Sequence, residues 1–515
     1  MTGGALMVCG TSSDVGKTRL VTGLCRALAR RGLAVAPFKG QNMALNSVVT
    51  PHGEEIGRAQ GTQAQAARTG SEAVMNPVLL KPTSERRSQV VVLGRPWKEL
   101  DAAAFQAVKA ELVPVVDGAL EDLRARHDVV VCEGAGSPAE VNLFDNDLVN
   151  LGLASRAGLP AIVVGDIDRG GVFAHLYGTV ALLPEDRRRC VRGFVVNRLR
   201  GDPALLGDAT DILGQRTGVP TWGVVPYLPG LWLDAEDSLA LEQVWSRVAS
   251  AGASTAILDV AVVRLPRISN FTDLDPLAAE PGVRVRLVEH AAGLGDPDLV
   301  VVPGTKSTVA DLEWLRAVAL DRALTGCLER GSVAVGVCGG YQMFGETIAD
   351  PGGVESAVPF VSGLGLLPMR TTFRAEKRTV QRRGRVAAGT DAGTAVYGYE
   401  IHHGRHDPAP GAPAWFALDP VGPGATGVRR PEPEGVALAD GSVYGSALHG
   451  LFDDDELRAR FLAHVATRRQ KEWAPGGASF EGLREAQIDL LADACERALD
   501  MTRVLETASD ARGAR

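Results

Sequence analysis

Short apolar runs recur along the first part of the chain and alternate with stretches of helical periodicity. Strands are predicted at runs of Val, Ile, Leu and Ala, namely residues 5–9, 33–38, 129–132, 161–164, 193–196 and 222–225. Helices are predicted at residues 17–31 and 97–126, where apolar positions follow the helical period. Because the strand runs are continuous rather than alternating, each strand is expected to be buried on both faces. This pattern is typical of a mainly parallel sheet covered by helices.

The pattern lapses before residue 257, where acidic and small polar residues accumulate, and a second α/β region follows. Its strands are predicted at residues 260–263, 283–288, 299–302 and 333–337, and its helices at residues 457–469 and 480–499. Residues 351–445 are rich in Gly, Pro and isolated short strands, which predicts an antiparallel extension. We therefore predict domains at residues 1–235 and 257–500, a linker at 236–256 and a disordered tail at 501–515.

The composition is that of an ordinary globular protein and argues against several functional classes of protein. At roughly 100–200 residues per domain, a chain of 515 residues is too long for one core. The net charge of −8 argues against nucleic acid as a partner, because phosphate neutralisation needs a basic face. No apolar run approaches the ~18 residues that span a bilayer, and the first residues do not resemble a signal peptide. The seven cysteines form no Cys-x-x-Cys pair, which favours reduced thiols and a cytoplasmic protein.

A phosphate-binding loop is predicted between the first strand and the first helix. Backbone N–H groups and the helix N-terminus converge on an anion there, while a lysine adds charge and a threonine a Mg²⁺ ligand. The first glycine lies one place earlier than in the standard loop, so this loop is a lengthened variant. The residues expected to bind nucleotide are Gly10, Thr11, Ser12, Asp14, Val15, Gly16, Lys17 and Thr18.

This variant resembles the loop of dethiobiotin synthetase and its relatives, in which ATP phosphorylates a carboxylate or carbamate directly. The resemblance implies that Lys39, after the second strand, neutralises the transferring phosphoryl group. It also implies that Glu133, which begins a Glu-Gly-Ala-Gly segment, holds Mg²⁺ together with Thr18. The alternatives are a solvated surface lysine and a carboxylate that caps a helix.

Cys338 follows an apolar run and is flanked by glycines, in the order Gly336-Val337-Cys338-Gly339-Gly340. A cysteine at such a strand-to-helix turn is exposed for nucleophilic attack, and the backbone N–H groups of Gly339 and Gly304 could hold an oxyanion. A thiol needs a base to become a nucleophilic thiolate. His449 is the expected base, with His402 and His403 as rivals.

The second half resembles the triad-type glutamine amidotransferase domain, in which Cys attacks the side-chain amide of glutamine and ammonia is released. The resemblance implies a flavodoxin-like α/β fold. Members of that family carry an acid two residues after the histidine, whereas this chain has Leu451 there. The partner of His449 is therefore missing or supplied from elsewhere. Asp453 is near in sequence but is not assigned.

A nucleotide site and an ammonia source in one chain predict a glutamine-dependent amide ligase. Segments that include Gln41-Asn42-Met43, residues 165–173, residues 303–308 and residues 399–402 resemble the cobyric acid synthase family over nearly the whole chain. The resemblance implies a P-loop NTPase-like first domain that binds ATP, Mg²⁺ and a corrinoid. It also implies amidation of the b, d, e and g carboxylates of adenosylcobyrinic acid a,c-diamide.

Polar residues at the strand ends of the first sheet are candidates to contact the acidic substrate, since open α/β sheets bind ligands there. They are Gln41, Asn42, Arg58, Gln60, Asn76 and Arg169. The alternatives are cobyrinic acid a,c-diamide synthase, a partitioning-type ATPase switch, and a second domain that is a degenerate or peptidase-like relative. The partitioning-type loop usually carries an early lysine that this chain lacks.

Overall fold

The computed structural model describes residues 3–233, 257–389, 391–421 and 430–511. The chain divides into two compact units, and neither is a continuous stretch of sequence. The first unit comprises Met1–Ala44, Ile56–Leu233 and Arg484–Arg515, and the second comprises Leu45–Glu55 and Asp234–Leu483. The predicted boundaries therefore need two corrections, because residues 45–55 lie in the second unit and residues 484–515 return to the first. The linker predicted at 236–256 lies outside the described residues.

A six-stranded parallel sheet forms the centre of the first unit. Its strands are β1 (Gly4–Gly10), β2 (Val35–Phe38), β9 (Val129–Glu133), β10 (Ala161–Asp166), β11 (Val191–Leu199) and β12 (Thr221–Pro226). They lie in the order β12-β11-β10-β1-β9-β2, so the chain switches direction beside β1. Alternate residues of β1 face different cores, with Met7 and Cys9 in one and Leu6 and Val8 in the other. The predicted burial on both faces is confirmed.

Helices cover both faces of this sheet. They are α1 (Lys17–Arg30), α2 (Arg58–Ala66), α3 (Ala102–Arg126), α4 (Leu151–Ala157), α5 (Val172–Leu182), α6 (Glu185–Arg188) and α7 (Ala209–Thr217), with 3₁₀ turns at Ala73–Met75, Val141–Leu143 and Pro203–Leu206. The helix predicted from residue 97 begins only at Ala102, because Arg95–Asp101 forms a strand and the Asp101 carboxylate caps the helix at the Ala104 N–H, 2.8 Å away. Among the described residues, no helix is long and apolar enough to cross a membrane.

Two smaller sheets were not predicted in the first half of the sequence. A four-stranded sheet has the order β3-β6-β7-β8, in which only β3 and β6 are parallel. A two-stranded sheet joins β4 and β5. The bounds are β3 (Gln41–Met43), β4 (Ser47–Val49), β5 (Glu55–Gly57), β6 (Val78–Pro82), β7 (Arg87–Val92) and β8 (Arg95–Asp101).

The last part of the chain packs on α1 and β1 of the first unit. Arg26 of α1 is buried and pairs with Glu485 at 2.7 Å and Asp489 at 3.0 Å. The tail predicted to be disordered is wrong for residues 501–510, which form a helix whose Val504 and Ala508 enter the core. Met501, Val504, Leu505 and Ala508 follow the helical period, so the sequence does carry a signal for this helix that the prediction of a disordered tail overlooked. The three helices of the chain's last part are α13 (Asp455–Arg468), α14 (Phe480–Ala498) and α15 (Met501–Asp510).

The second unit is built on a six-stranded sheet in the order β14-β13-β15-β16-β24-β23, parallel except for the short β23. Its strands are β13 (Leu258–Val263), β14 (Val283–Val288), β15 (Leu299–Val302), β16 (Val333–Val337), β23 (Val436–Ala437) and β24 (Val443–Ser446). The helices between them are α8 (Asp275–Ala279), α9 (Ala291–Leu294), α10 (Thr308–Ala317), α11 (Leu320–Glu329) and α12 (Gly339–Phe344), with 3₁₀ turns at Phe271–Leu274 and Leu451–Asp453. The predicted α/β class is confirmed for both units.

The predicted extension at residues 351–445 is a largely antiparallel sheet. Two long strands, β19 and β20, form its hairpin, and the path of the sheet is β18-β17-β19-β20-β25 with β21 and β22 at its side. Only β17 and β19 run parallel. The bounds are β17 (Thr347–Ala349), β18 (Phe360–Ser362), β19 (Met369–Val386), β20 (Ala395–Pro408), β21 (Phe416–Leu418), β22 (Glu432–Glu434) and β25 (Leu448–His449).

The packing of α15 predicts a clear difference between two neighbouring substitutions. Val504→Asp places a charge in the core and should cost about 2–5 kcal/mol of stability, whereas Thr502→Asp changes an exposed residue of the first turn and should cost little. The thermal unfolding midpoint of each variant measures this. Equal midpoints for the two variants would mean that residues 501–510 do not pack on the first unit.

Candidate active sites in the two units

The phosphate loop connects β1 to α1, as predicted. Gly16 has a left-handed φ of 94°, and a Cβ there would lie 2.3 Å from the Asn197 side-chain amide, so only glycine fits. That amide also donates to the Val15 carbonyl at 2.8 Å and fixes the loop. The Lys17 ammonium donates to the carbonyls of Ser12 at 2.9 Å and Gly136 at 3.0 Å, so the lysine lies across the mouth of the loop.

Glu133 is the centre of a buried cluster beside this loop. Strands β1, β9 and β2 are neighbours in the sheet, so their carboxyl ends bring together Thr18, Glu133 and Lys39. One carboxylate oxygen of Glu133 accepts from the Thr18 hydroxyl at 2.8 Å and from the Lys39 ammonium at 2.9 Å. The side chain of Glu133 is fully buried and that of Lys39 is 4% exposed. The alternatives of a solvated lysine and a helix-capping carboxylate are therefore wrong.

Gln63 on α2 completes this cluster and was missed in the sequence. Its side-chain amide donates to the second Glu133 oxygen at 2.5 Å. It also accepts from Gln60 at 3.4 Å, and Gln60 accepts from Asn42 at 3.0 Å. A chain of buried amides therefore runs from β3 to the carboxylate. The helical spacing between Gln60 and Gln63 was the available signal, but polar residues at that spacing are typical of many surface helices.

The predicted substrate residues fall into three groups. Asn42, Gln60 and Asn76 are buried and hydrogen bonded within the unit, and Asn76 bridges the Gly57 N–H at 3.0 Å and the Val78 carbonyl at 3.0 Å. Gln41 and Arg58 are half-buried. Arg169 is exposed and pairs with Asp14 of the phosphate loop.

A second charged group lies at the ends of β10 and β11. Arg198 pairs with Asp14 at 3.1 Å and with the buried Asp166 at 2.8 Å. Arg169 lies 3.5 Å from the same Asp166 carboxylate. These ion pairs place two guanidinium groups beside the phosphate loop. Arg198 and Asp166 were not singled out in the sequence.

A small cleft of about 40 Å³ opens next to the loop within the first unit. Its walls include Leu20 of α1, Asn197 at the end of β11, Tyr227 after β12 and Leu491 of α14. The walls are mainly apolar, with the Asn197 amide and the Arg198 guanidinium as polar groups at one side.

Cys338 occupies the predicted turn between β16 and α12. Its φ of 50° and ψ of −104° are unusual for a residue with a side chain, and strain of this kind is concentrated at functional turns. The Cys338 N–H donates to the Ser446 carbonyl at the end of β24, 2.8 Å away. The Cys338 carbonyl accepts from the Gln342 N–H at 3.0 Å, which starts the helix. The thiol is therefore held at the N-terminus of α12.

His449 lies beside Cys338 because β16 and β24 are neighbouring parallel strands. Its Nδ1 lies 2.6 Å from Asp273 Oδ2, and the other Asp273 oxygen accepts from the Gly450 N–H at 2.9 Å. This leaves the second ring nitrogen for the hydrogen bond between His449 and the Cys338 thiol. Asp273 lies in the 3₁₀ turn after β13. The three side chains form a Cys–His–Asp triad, and Asp273 takes the place of the acid that is absent at Leu451.

The neighbours of His449 in the triad raise its pKa. Burial lowers the pKa of the His449 imidazole, but the Asp273 carboxylate and Cys338 outweigh burial and raise the pKa to about 10. The site therefore holds a protonated imidazole next to the Cys338 thiol.

Gly304 and Gly339 both lie in closely packed backbone near the triad. A Cβ on Gly304 would lie 3.0 Å from the His449 ring, and a Cβ on Gly339 would lie 2.6 Å from the Thr305 side chain. The loop after β15 therefore packs directly against both the histidine and the turn of the cysteine. Their N–H groups remain candidates for an oxyanion site.

The rival bases are placed differently. His402 Nδ1 lies 2.7 Å from the Gly404 carbonyl, and His403 Nδ1 lies 3.1 Å from the Arg374 carbonyl. Burial lowers the pKa of His403 to about 4, which makes it a weak base. Leu451 is fully buried, and Asp453 is in the 3₁₀ turn that follows His449.

A cavity of about 280 Å³ lies in the second unit, and its lining reaches Ala447, two residues before His449. Its walls carry both signs of charge, from Arg378, Arg382, Glu400, Glu432 and Glu434, and they include His402 and Tyr341. Arg382 is paired with Glu432 at 2.8 Å, yet its Nη1 atom has no partner in the described part of the chain. His402 Nε2 lies 3.6 Å from Glu400 Oε2.

Two family matches cover most of the chain. Residues 6–239 match the CobQ/CobB/MinD/ParA nucleotide binding domain, and residues 259–457 match the CobB/CobQ-like glutamine amidotransferase domain. Cobyric acid synthase of Mycolicibacterium vanbaalenii is 49% identical over 99% of this chain and 97% of its own. Cobyric acid synthase of Sorangium cellulosum is 49% identical over 97% of this chain and 98% of its own. The chain therefore belongs to the cobyric acid synthase family of glutamine-dependent amidoligases.

Proposed function

We propose that the protein amidates the b, d, e and g side-chain carboxylates of adenosylcobyrinic acid a,c-diamide, with glutamine as the nitrogen donor and ATP as the phosphate donor. The product is adenosylcobyric acid, on the route to cobalamin. The observation that carries the proposal is the presence in one chain of the Glu133 cluster at a phosphate loop and of the Cys338–His449–Asp273 triad. A carboxylate is a poor electrophile, and free ammonia is protonated in water, so this reaction needs both sites.

Nitrogen release takes place at the triad. The Cys338 thiolate attacks the side-chain amide carbon of glutamine, and the negative oxygen is held by the N–H groups of Gly304 and Gly339. The carbon–nitrogen bond breaks while the His449 imidazolium gives its proton to the leaving ammonia. Water then hydrolyses the thioester with His449 as base, and glutamate leaves.

The charged cavity that reaches Ala447 suits the other end of glutamine. Its α-carboxylate needs a cationic donor, which Arg382 Nη1 can supply, and its α-ammonium needs an anionic acceptor, which the glutamates of the cavity can supply. A buried donor without a partner is costly, so a ligand that pairs with it gains both affinity and orientation.

Activation takes place at the phosphate loop. A carboxylate oxygen of the corrinoid attacks the γ-phosphorus of ATP, ADP leaves, and ammonia then displaces phosphate from the acyl phosphate. Lys17 and Lys39 neutralise the oxygens of the transferring group. The Thr18 hydroxyl and the Glu133 carboxylate are hard oxygen ligands, which fits Mg²⁺. When bound there, Mg²⁺ would offset the charge of the phosphate oxygens.

We place the nucleobase of ATP at the small cleft between Leu20 and Tyr227, because this cleft adjoins the phosphate loop. For the corrinoid, the half-buried Gln41 and Arg58 are better placed to contact a ligand than the buried Asn42, Gln60 and Asn76, which hold the cluster in shape. Because four different carboxylates are amidated, the site must accept the corrinoid in more than one orientation. Partly amidated corrinoids must therefore dissociate between steps. All seven cysteines are free thiols, which suits the expected reducing cytoplasm.

The direct test is to incubate the protein with glutamine, ATP-Mg²⁺ and adenosylcobyrinic acid a,c-diamide, and to follow the corrinoid by chromatography and mass spectrometry. Four successive amidated products, each accompanied by ADP, are expected. Cobyrinic acid, the acceptor for the alternative a,c-diamide synthase, is offered in a parallel reaction. Amidation of cobyrinic acid alone, or no change in either corrinoid, would contradict the proposal.

Cys338→Ala should abolish glutamine-dependent amidation, by about 10³-fold or more, because the nucleophile is lost. Amidation with free ammonia at high pH should continue, since activation is chemically separate. Cys327→Ala changes another buried free cysteine of the same unit and is the matched control. An inactive Cys338→Ala variant with ammonia would mean that the two reactions are not separable.

Asp273→Asn should lower glutaminase kcat by about 10²-fold or more, because His449 loses its orienting partner. The carboxylate raises the pKa of His449, so its removal lowers that pKa. The imidazolium is then lost at a lower pH, and the basic limb of the pH–rate profile moves to lower pH. A basic limb that stays in place would show that Asp273 does not set the protonation of His449.

Glu133→Gln should abolish ADP formation, because the carboxylate that holds Thr18 and Lys39 is lost. Glutamine hydrolysis should remain measurable, which also reports that the protein is folded. Glu99→Gln, at a half-exposed carboxylate of β8 in the same unit, is the control. ADP formation at the normal rate in Glu133→Gln would remove Glu133 from the activation site.

A further inference from the structure

An eleven-residue segment of the first half of the sequence lies in the second unit. This inserted segment, Leu45–Glu55, begins two residues after β3 ends and leads into α2, both of which belong to the first unit. It is not needed to complete the parallel sheet of the second unit, whose strands all come from the second half. Its contacts instead concentrate on the residues that support the triad.

The first set of contacts fixes the turn that carries Asp273. The Asn46 side-chain oxygen accepts from the Phe271 N–H at 3.1 Å, and the Asn270 side-chain oxygen accepts from the Ser47 N–H at 2.9 Å. Asn46 is 1% exposed and Asn270 is 3% exposed, so water does not compete for these bonds. Asn270 has a left-handed φ of 51° and starts the 3₁₀ turn Phe271–Leu274. The position of Asp273 therefore depends on this reciprocal pair of asparagines.

The second set of contacts fixes the neighbour of His449. The Tyr399 hydroxyl donates to the Ser47 carbonyl at 3.0 Å, while the Tyr399 ring stacks on the His449 ring with centroids 5.4 Å apart. Val49 packs against Tyr399 and Ile401. The Ile401 carbonyl in turn lies 3.8 Å from the Cys338 sulfur. Each member of the triad thus has a supporting residue that touches the inserted segment.

The segment is itself anchored by buried polar groups of its own unit. The Glu55 carboxylate pairs with Lys377 at 2.5 Å and accepts from the Ser47 hydroxyl at 2.9 Å, and both members of the ion pair are almost fully buried. The Gln381 amide donates to the Val49 carbonyl at 2.9 Å. A segment held at both ends and its middle can transmit a small displacement to the turns that it contacts.

We infer that the inserted segment is a positioning element of the glutaminase triad, through which the first half of the chain controls glutamine hydrolysis. A triad works only within about 0.5 Å of its productive geometry, so support of this kind decides its rate. The segment is bonded through Met43 and Ala44 to Asn42, the first residue of the amide chain that ends at Glu133. Rearrangement of that chain when ATP and acceptor bind would therefore move Asn46 and Ser47. This inference rests on the proposed function.

Two variants test the positioning role. Asn46→Ala removes the acceptor for the turn of Asp273, and Tyr399→Phe removes the hydroxyl bonded to Ser47 while it keeps the ring on His449. Both should lower kcat for glutamine hydrolysis by about 10-fold with little change in KM, since glutamine itself is not contacted. Tyr397→Phe makes the same change at an exposed tyrosine of the same strand and should have no effect.

The coupling is measured as the increase in glutaminase rate when ATP-Mg²⁺ and the corrinoid acceptor are added together. The wild type should be stimulated, and Asn46→Ala and Tyr399→Phe should lose most of the stimulation. Amidation driven by free ammonia should be unchanged in both variants, which a general loss of folding would not allow.

The outcomes separate this inference from the proposed function. A wild type that makes no amide from ammonia would contradict the proposed function itself. A wild type that makes amide but is not stimulated by the acceptor would overturn the coupling. Variants with wild-type kcat, or with a raised KM and unchanged kcat, would overturn the positioning role. If Asn46→Ala is unstable, Tyr399→Phe alone decides, because it removes one hydroxyl and keeps the packing.

Discussion

The buried, hydrogen-bonded triad of Cys338, His449 and Asp273 is the constraint on which the second unit depends. A charge in such a place is costly unless it is compensated, and here the compensation comes from Asp273, which uses both oxygens to hold His449 and the following N–H. Four neighbouring parallel strands, β13, β15, β16 and β24, end at one edge and deliver Asp273, Gly304, Cys338 and the segment that leads to His449. The order of the strands therefore determines which of these residues lie next to one another.

The first unit also compensates a buried charge, which there belongs to the Glu133 carboxylate. Glu133 is fully buried, and its charge is offset by Lys39 and by hydrogen bonds from Thr18 and Gln63. These partners come from the elements next to β1 and β9, so a single carboxylate ties the phosphate loop to the strand that bears the lysine. Both units therefore place one buried carboxylate behind the reacting groups, which it orients and whose charge it balances.

The sequence predicted the parts of the structure that are local. Continuous runs of Val predict strands buried on both faces, and the glycines around Cys338 predict a tight turn, because each signal lies within a few residues. Asp273, Gln63 and the inserted segment were missed because their roles arise from contacts distant in sequence. The helix at 501–510 was missed although Met501, Val504, Leu505 and Ala508 follow the helical period, because the short segment near the end of the chain was interpreted as a tail. Asn42, Gln60 and Asn76 were predicted to contact substrate because they are polar. Their residue types alone do not show that they are buried.

The central claim is that one chain transfers nitrogen from glutamine to an acid that ATP has activated. The most direct measurement uses glutamine labelled with heavy nitrogen in its side-chain amide, with ATP-Mg²⁺ and adenosylcobyrinic acid a,c-diamide, and determines both label in the corrinoid and ADP formed. The account predicts that each new amide carries the label and is matched by one ADP. Glutamine consumption without ADP, or ADP formation without label in the corrinoid, would contradict it.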